Sequence, residues 1–262
     1  MNVHAILYEP ELFPDELYQQ ALLLLDSESA VRIAKFYRRQ DACRSLIGRF
    51  LPRMLLHDRG FGLSTMNFSA TASGKPFITS EGVDPPIAYN VSHDNGLVAM
   101  ASSANTHNPP AFTLGIDVMK VRIPGRESFA AFVETVGDQL TAHEHHLIAS
   151  ADSQSRGLEL FFWMWTAKEA YTKALGLGLG FDFRRVEFDP LLNVLRVDDN
   201  VPGGWRLFKF VIEQGTDKYQ GVVAEFVGGS DTIVMSESAQ EDWLQVDDAA
   251  TFIQHCIRNL RL

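Results

Sequence analysis

The stretch Trp165-Thr166-Ala167-Lys168-Glu169-Ala170-Tyr171-Thr172-Lys173 decides how this chain is read. It lies in a helical pattern that predicts one long helix over residues 155–175. Phe161-Phe162-Trp163-Met164 precedes it, so the helix is apolar on most of its sides. A helix of that kind is buried or lines a cleft. A charge on it then needs a partner or a purpose, because burying a lone charge is costly. Glu169 and Lys173 are four residues apart and share one face. On an exposed helix such a pair contributes only about 0.2–0.5 kcal/mol. On a buried helix the same pair is a candidate for chemistry. Gly176-Leu177-Gly178-Leu179-Gly180 then ends the helix.

Upstream, a strand predicted over residues 112–118 ends near Asp117. An Asp after a strand is usually a turn or cap residue. It is also a suitable magnesium ligand, since that ion takes one or two carboxylates together with phosphates and water. Asp117 and Glu169 supply two carboxylates if strand and helix pack together. Farther upstream, strands predicted over residues 87–91 and 97–101 flank Asp94-Asn95-Gly96, a strong hairpin signal. Asn90-Val91-Ser92-His93 sits just before that turn. There is no G-x-S-x-G elbow, so Ser92 and His93 read as phosphate or nucleotide contacts, not as nucleophile and base. A lone His in such a place is more often an ordinary surface residue.

Arg32, Lys35, Arg38, Arg39, Arg44, Arg49 and Arg53 crowd one helical region, and Lys75 follows in Gly74-Lys75-Pro76. A solvated helix face is the plain reading of such a run. Against a net charge of −10 it is nonetheless a local positive island, suited to phosphate groups. His143-Glu144-His145-His146 lacks the H-E-x-x-H spacing of helical zinc ligands and reads as a surface helix.

The chain has 262 residues, 46% of them hydrophobic and 21% charged, enough to bury a core in one large or two small domains. Its acidity argues against a general nucleic-acid binder. Cys43 and Cys256 are far apart and outside any metal spacing, so a reducing, cytoplasmic compartment is expected. No apolar run is long enough to span a bilayer, and no signal peptide is recognised. The pattern further predicts a strand at residues 3–7 and two helices within 26–57, broken near 39–41 and capped by Asp26 or Ser27. Helices are expected near 127–136 and 142–149, and strands at 183–188, 194–197, 205–212 and 219–226, with a last helix at 247–258. A polar, Pro-rich connector at residues 105–110 divides the chain into subdomains 1–108 and 109–262. Each carries helices followed by strands, as a pseudo-duplicated α+β chain would.

Taken together these residues resemble the 4′-phosphopantetheinyl transferase superfamily, in its long, surfactin-synthetase-activating group. Gly115-Ile116-Asp117 matches the family's first metal motif, and residues 165–173 match W-[ST]-x-K-E-[AS]-x-x-K. Asn90-Val91-Ser92-His93, Gly74-Lys75-Pro76 and Phe36-Tyr37 with Asp41-Ala42, Arg44 and Ser45 match three more, in the family's order. The resemblance runs from about Ala34 to about Phe188. It implies an α+β fold of two similar subdomains with the active site at their interface. It also implies transfer of 4′-phosphopantetheine from coenzyme A to a serine of an apo acyl or peptidyl carrier protein, releasing 3′,5′-ADP. Asp117 and Glu169 would bind Mg2+, and Lys173 would contact phosphate. Arg32, Arg44, Ser45, Lys75, Ser92 and His93 would hold coenzyme A. Glu169 or a metal-bound water would take the serine proton. Many bacterial members place a Glu two residues after the motif's Asp; here it is Met119, as in broad-specificity animal and fungal members. Water, or Asp94, would then stand in for the third ligand.

The resemblance further implies a monomer, with no nucleic-acid or membrane partner. Phe129 and Phe132 are candidates for docking the carrier. The competing readings are an inactive coenzyme A-binding protein of the same fold, another magnesium phosphotransferase, and a structural domain in which Glu169–Lys173 is only an ion pair. The second lacks G-x-x-x-x-G-K-[ST] and any kinase motif set.

Overall fold

The computed structural model describes residues 1–104, 113–177, 180–236 and 242–260. The connector expected at 105–110 lies outside them. The chain opens with strand β1 (Asn2–Leu7), then helices α1 (Asp15–Leu22), α2 (Ser27–Ala34) and α3 (Arg39–His57). A small hairpin, β2 (Phe68–Ala70) and β3 (Pro76–Ile78), and a larger one, β4 (Ile87–Asp94) and β5 (Leu97–Ala104), complete the first half. The second half repeats this order. It has β6 (Leu114–Lys120), helices α4 (Phe129–Val136), α5 (Ala142–Ala149) and α6 (Gln154–Leu175), and a small hairpin, β7 (Val186–Asp189) and β8 (Val194–Val197). A larger hairpin, β9 (Trp205–Gln214) and β10 (Asp217–Phe226), follows.

The pairing repeats as well. β5 lies between β1 and β4, and β10 between β6 and β9, with every neighbour antiparallel. The pseudo-duplicated α+β fold expected from sequence is therefore visible in the topology. Two late strands extend the sheets: β11 (Ile233–Ser236) runs parallel to β9, and β12 (Leu244–Asp248) parallel to β1. Helix α7 (Ala249–Leu260) then packs on α1 and α3. Residues 244–260, which the sequence reading placed in the second subdomain, thus complete the first half.

Local signals explain most element ends. Asp26 caps α2, its carboxylate accepting from the Ser29 amide at 2.8 Å. Thr141 and Glu144 form a capping box at α5. Gly176, at φ 71°, ends α6 in the left-handed conformation that glycine tolerates best. Asn95 takes φ 48° in the β4–β5 turn.

The sheets face each other between outer layers of helices. Val3, Ala5, Ala99 and Ala101 of the first sheet meet Ile116, Phe208, Phe210 and Val223 of the second, small side chains against large. On the outer face of the first sheet, Ile6 packs with Leu46, Ile47, Phe50 and Ile253 of the helices. Behind the second sheet, Val222 and Ala224 pack under Ala167, Ala170 and Ala174 of α6. Among the described residues no helix is long and apolar enough to cross a membrane.

β4 and β6 are the edge strands at which the halves meet. An edge strand leaves a row of backbone groups unpaired. Here side chains fill the row. The Ile116 amide donates to Asn90 Oδ1 and the Lys120 amide to Asp94 Oδ2, both at 2.8 Å. Between them Ser92 reaches Asp117. Asn90, Ser92 and Asp94 alternate along β4 and so point to one side of it.

Gly115 sets how closely α6 lies on β6. A Cβ there would stand 2.1 Å from the Ala170 carbonyl oxygen and 2.4 Å from the Ala174 nitrogen, both backbone atoms of the helix. Gly115→Ala must push α6 away, and overpacking of this kind costs about 1–3 kcal/mol. Urea unfolding should show a lower midpoint with an unchanged slope.

Candidate active site

The close approach at Gly115 brings the last turns of α6 beside Asp117. That carboxylate is buried, with 5% of the residue exposed. Its Oδ1 accepts from Lys173 Nζ at 2.6 Å and from Ser92 Oγ at 2.9 Å. Lys173 Nζ also donates to Ser92 Oγ at 3.1 Å. Three elements, β4, β6 and α6, thus converge on one carboxylate. Its second oxygen, Oδ2, is buried and has no hydrogen-bond partner.

Glu169 stands one turn before Lys173 and is half-buried. Burial raises its pKa above the usual carboxyl range and the nearby Asp117 charge raises it further, while Lys173 offsets part of the rise. Among the described residues its carboxylate has no hydrogen bond or ion pair. Two carboxylates that repel each other, one with an unpartnered buried oxygen, form a hard-oxygen donor set. That set fits a magnesium ion, which needs few protein ligands and fills its shell with phosphate and water oxygens. No group of three or more His, Cys, Asp or Glu side chains among the described residues could hold a metal. Asp94, a candidate third ligand, has Oδ2 engaged by the Lys120 amide, and Met119 packs into the apolar cluster around α4 and α6.

The rim is basic. His93 is exposed at the end of β4. Desolvation lowers its pKa, and the charges of Arg44 and Lys173 lower it further, which favours the neutral imidazole. Arg44 of α3 donates from Nη1 to the Asn95 carbonyl at 2.6 Å and from Nη2 to Asp41, which braces it at the β4–β5 turn. Ser45 follows it, half-buried. Arg32 lies on exposed α2, paired with Glu28 at 3.1 Å, and makes no contact with the Asp117 cluster.

Other residues singled out from the sequence are placed differently. Lys75 does not reach the rim. Its ammonium is buried and donates to three carbonyl oxygens, those of Leu114 and Lys173 at 2.7 Å and Ala174 at 3.2 Å. Burial pushes its pKa down to about 7. Lys168 points away from Asp117 and pairs with Glu144 Oε2 at 2.5 Å, both side chains almost wholly buried. The His143–His146 helix is therefore not merely a surface helix, because Glu144 is a core residue. That carboxylate also accepts from the Phe188 and Thr141 amides. His143 meets Asp189 and His145 meets the Gly137 carbonyl. Phe132 is buried in an aromatic cluster with Phe161 and Phe162 and so offers no free docking face, whereas Phe129 packs beside it and is half-buried.

Sequence reasoning missed the bracing of the β6 edge by Asn90 and Asp94. It also missed a polar cleft of about 460 Å3 lined by Tyr8, Glu9, Gln40, Asn95, Lys120 and Asp217. Those residues come from separate stretches, and no local pattern unites them.

Two family models match the chain. One is described as the 4′-phosphopantetheinyl transferase superfamily and covers residues 113–201. The other is described as 4′-phosphopantetheinyl transferase, N-terminal, and covers residues 14–105. A 4′-phosphopantetheinyl transferase of Paxillus involutus is 44% identical over 264 residues, spanning 99% of this chain and 100% of that protein. The chain belongs to the 4′-phosphopantetheinyl transferase family. The resemblance drawn from five motifs, and the transferase class it implied, are borne out.

The L-aminoadipate-semialdehyde dehydrogenase-phosphopantetheinyl transferase of Mus musculus is 31% identical over 172 residues, 64% of this chain and 54% of that protein. The match thus spans about half the length of the mouse relative. A solved holo-[acyl-carrier-protein] synthase from Thermotoga maritima is 26% identical, covering 44% of this chain and 64% of its own, at a TM-score of 0.31. Coenzyme A as co-substrate and carrier proteins as acceptors are what this family uses.

The raised Glu169 pKa has a stability consequence. The folded chain holds that proton more tightly than the unfolded chain does. Stability is therefore lost as pH climbs from the ordinary carboxyl range through the raised value, and at pH 7 the ionised group is a net cost. Glu169→Gln should raise the Tm of the metal-free protein at pH 7 by roughly 2–4 °C. It should also abolish the thermal shift that magnesium with coenzyme A gives the wild type. Differential scanning fluorimetry with and without those ligands reads both effects. Lys168→Met, by contrast, leaves Glu144 buried without its cation and should cost about 3–5 kcal/mol. Its turnover per folded molecule should stay near wild type, as chemical denaturation and a transfer assay would together show.

Proposed function

We propose that this protein transfers the 4′-phosphopantetheine of coenzyme A to a serine of an apo carrier protein, leaving 3′,5′-ADP. One observation carries the reading: a buried Asp117 carboxylate has one oxygen on Lys173, the other without a partner, and Glu169 beside it. When bound by Asp117 and Glu169, magnesium supplies charge neutralisation for the pyrophosphate.

The residues divide the remaining work. Lys173, already held by Asp117 and Ser92, directs its ammonium at the phosphates and steadies the leaving group. Glu169 takes the serine proton. The serine oxygen bonds to the β-phosphorus as the bond from that phosphorus to the bridging oxygen breaks. The electron pair leaves on 3′,5′-ADP. Arg44, His93 and Ser92 hold the nucleotide phosphates, with Ser45 beside Arg44 and Arg32 reaching the 3′-phosphate from α2.

We assign the chain as a monomer, because both halves of the site come from one chain. Buried, unpaired Cys43 and Cys256 support a reducing, cytoplasmic setting. Broad use of carriers follows from the fungal and animal matches and from Met119 after the motif. Nothing favours an inactive coenzyme A-binding protein.

The test is the intact mass of several unrelated apo carriers after incubation with the protein, coenzyme A and magnesium. We expect a gain of one phosphopantetheine, abolished by chelator and by Glu169→Ala. A folded protein that binds coenzyme A but modifies no carrier would overturn the reading.

A further inference from the structure

We propose that Lys75 is a positioning residue, a clamp from the first half of the molecule that fixes the strand and helix bearing Asp117 and Lys173. It is not a ligand of coenzyme A. Lys75 closes the turn of the small β2–β3 hairpin. Its carbonyl accepts from the Thr71 amide at 2.9 Å, and its own amide donates to Thr71 Oγ1 at 3.1 Å. From this fixed base the side chain crosses into the second half and is buried there, with 8% of the residue exposed.

An ammonium has three N–H donors and no acceptor. Here each donor has a carbonyl: Leu114 O, Lys173 O and Ala174 O. Two of these belong to the last turn of α6, at the negative end of its dipole, where the Lys173 carbonyl also accepts from the Gly176 amide at 3.1 Å. The third opens β6, three residues before Asp117. One cation thus ties the end of the helix to the start of the strand. Gly115 lies between the tied points and leaves room for the close approach. With all its donors engaged, the ammonium has none left for a phosphate.

Without the cation, the three carbonyls lose the donor they share, the Lys173 carbonyl keeping only the Gly176 amide, and the last turn of α6 loosens. The Lys173 side chain then loses its fixed base beside Asp117. Turnover should fall while the coenzyme A contacts on α3 and β4 remain.

Lys75→Met keeps the stem and removes the ammonium. We expect kcat for carrier modification to fall ~10–100-fold, the loss typical of a small misplacement. KM for coenzyme A should stay within about twofold of wild type. Hydrogen–deuterium exchange should quicken at the amides of residues 172–176 more than elsewhere. Lys75→Arg, which can still place a cation among the carbonyls, should bind coenzyme A as wild type does and protect those amides better than the Met variant. It also keeps the idea testable if the Met variant does not fold.

Weaker coenzyme A affinity with unchanged kcat, in either folded variant, would show Lys75 to be a ligand contact and end the proposal. So would unchanged exchange at the end of α6. The kinetic arm rests on the transferase reading above, whereas the exchange arm does not. If the wild type itself modified no carrier, the activity would be wrong while exchange still decided the role of Lys75.

Discussion

Every contact that places Asp117 joins parts of the chain that are remote in sequence. The strand that carries it is an edge strand, and its outer amides are taken by side chains of β4 from the other half. Its carboxylate is held by Ser92 on that side and by Lys173 on the helix above. Backbone pairing could have joined the two edges into one continuous sheet. Side-chain bracing leaves them as separate sheets with a polar seam, and the site lies at that seam. The same arrangement protects two edges that would otherwise invite aggregation.

Buried charge is handled in three ways in this molecule. Lys168 and Glu144 neutralise each other, and further backbone contacts complete their hydrogen bonding. Lys75 is compensated by carbonyl dipoles alone. Asp117 and Glu169 are compensated only in part, by one lysine for two carboxylates. A deficit of positive charge at a buried position is costly to the fold. Its persistence beside a basic rim marks the place where a cation and an anionic ligand would complete the charge balance.

Much of this was legible in the sequence, for identifiable reasons. The helix over residues 154–175 was plain because its pattern is long and its glycine stop strong. The β4–β5 hairpin announced itself through Asn95-Gly96. The chemical residues Asp117, Glu169 and Lys173 were found because charge in an apolar setting stands out. Other elements were too short or too polar to register. Helix α1 spans eight residues, β2 and β3 three each, and β12 exposes or half-exposes all of its side chains. The helix break at residues 35–38, not 39–41, follows from Arg38 serving as the extended N-cap of α3. The partners of Lys75 and Lys168 were beyond sequence reasoning. Each lysine is judged by where its nitrogen ends, and that depends on partners 24 to 99 residues away.

The return of the chain to its starting sheet has a bearing on biosynthesis. β1 is made before every other strand of the two sheets, and one of its two sheet neighbours, β12, is made after all of them. Until then β1 has a bare edge, and the cover that α7 gives to α1 and α3 is absent. The later-made repeat has no such dependence, since all four strands of its sheet come from one continuous stretch. On the ribosome the order of maturation is therefore inverted: the repeat synthesised second can close its sheet before the one synthesised first.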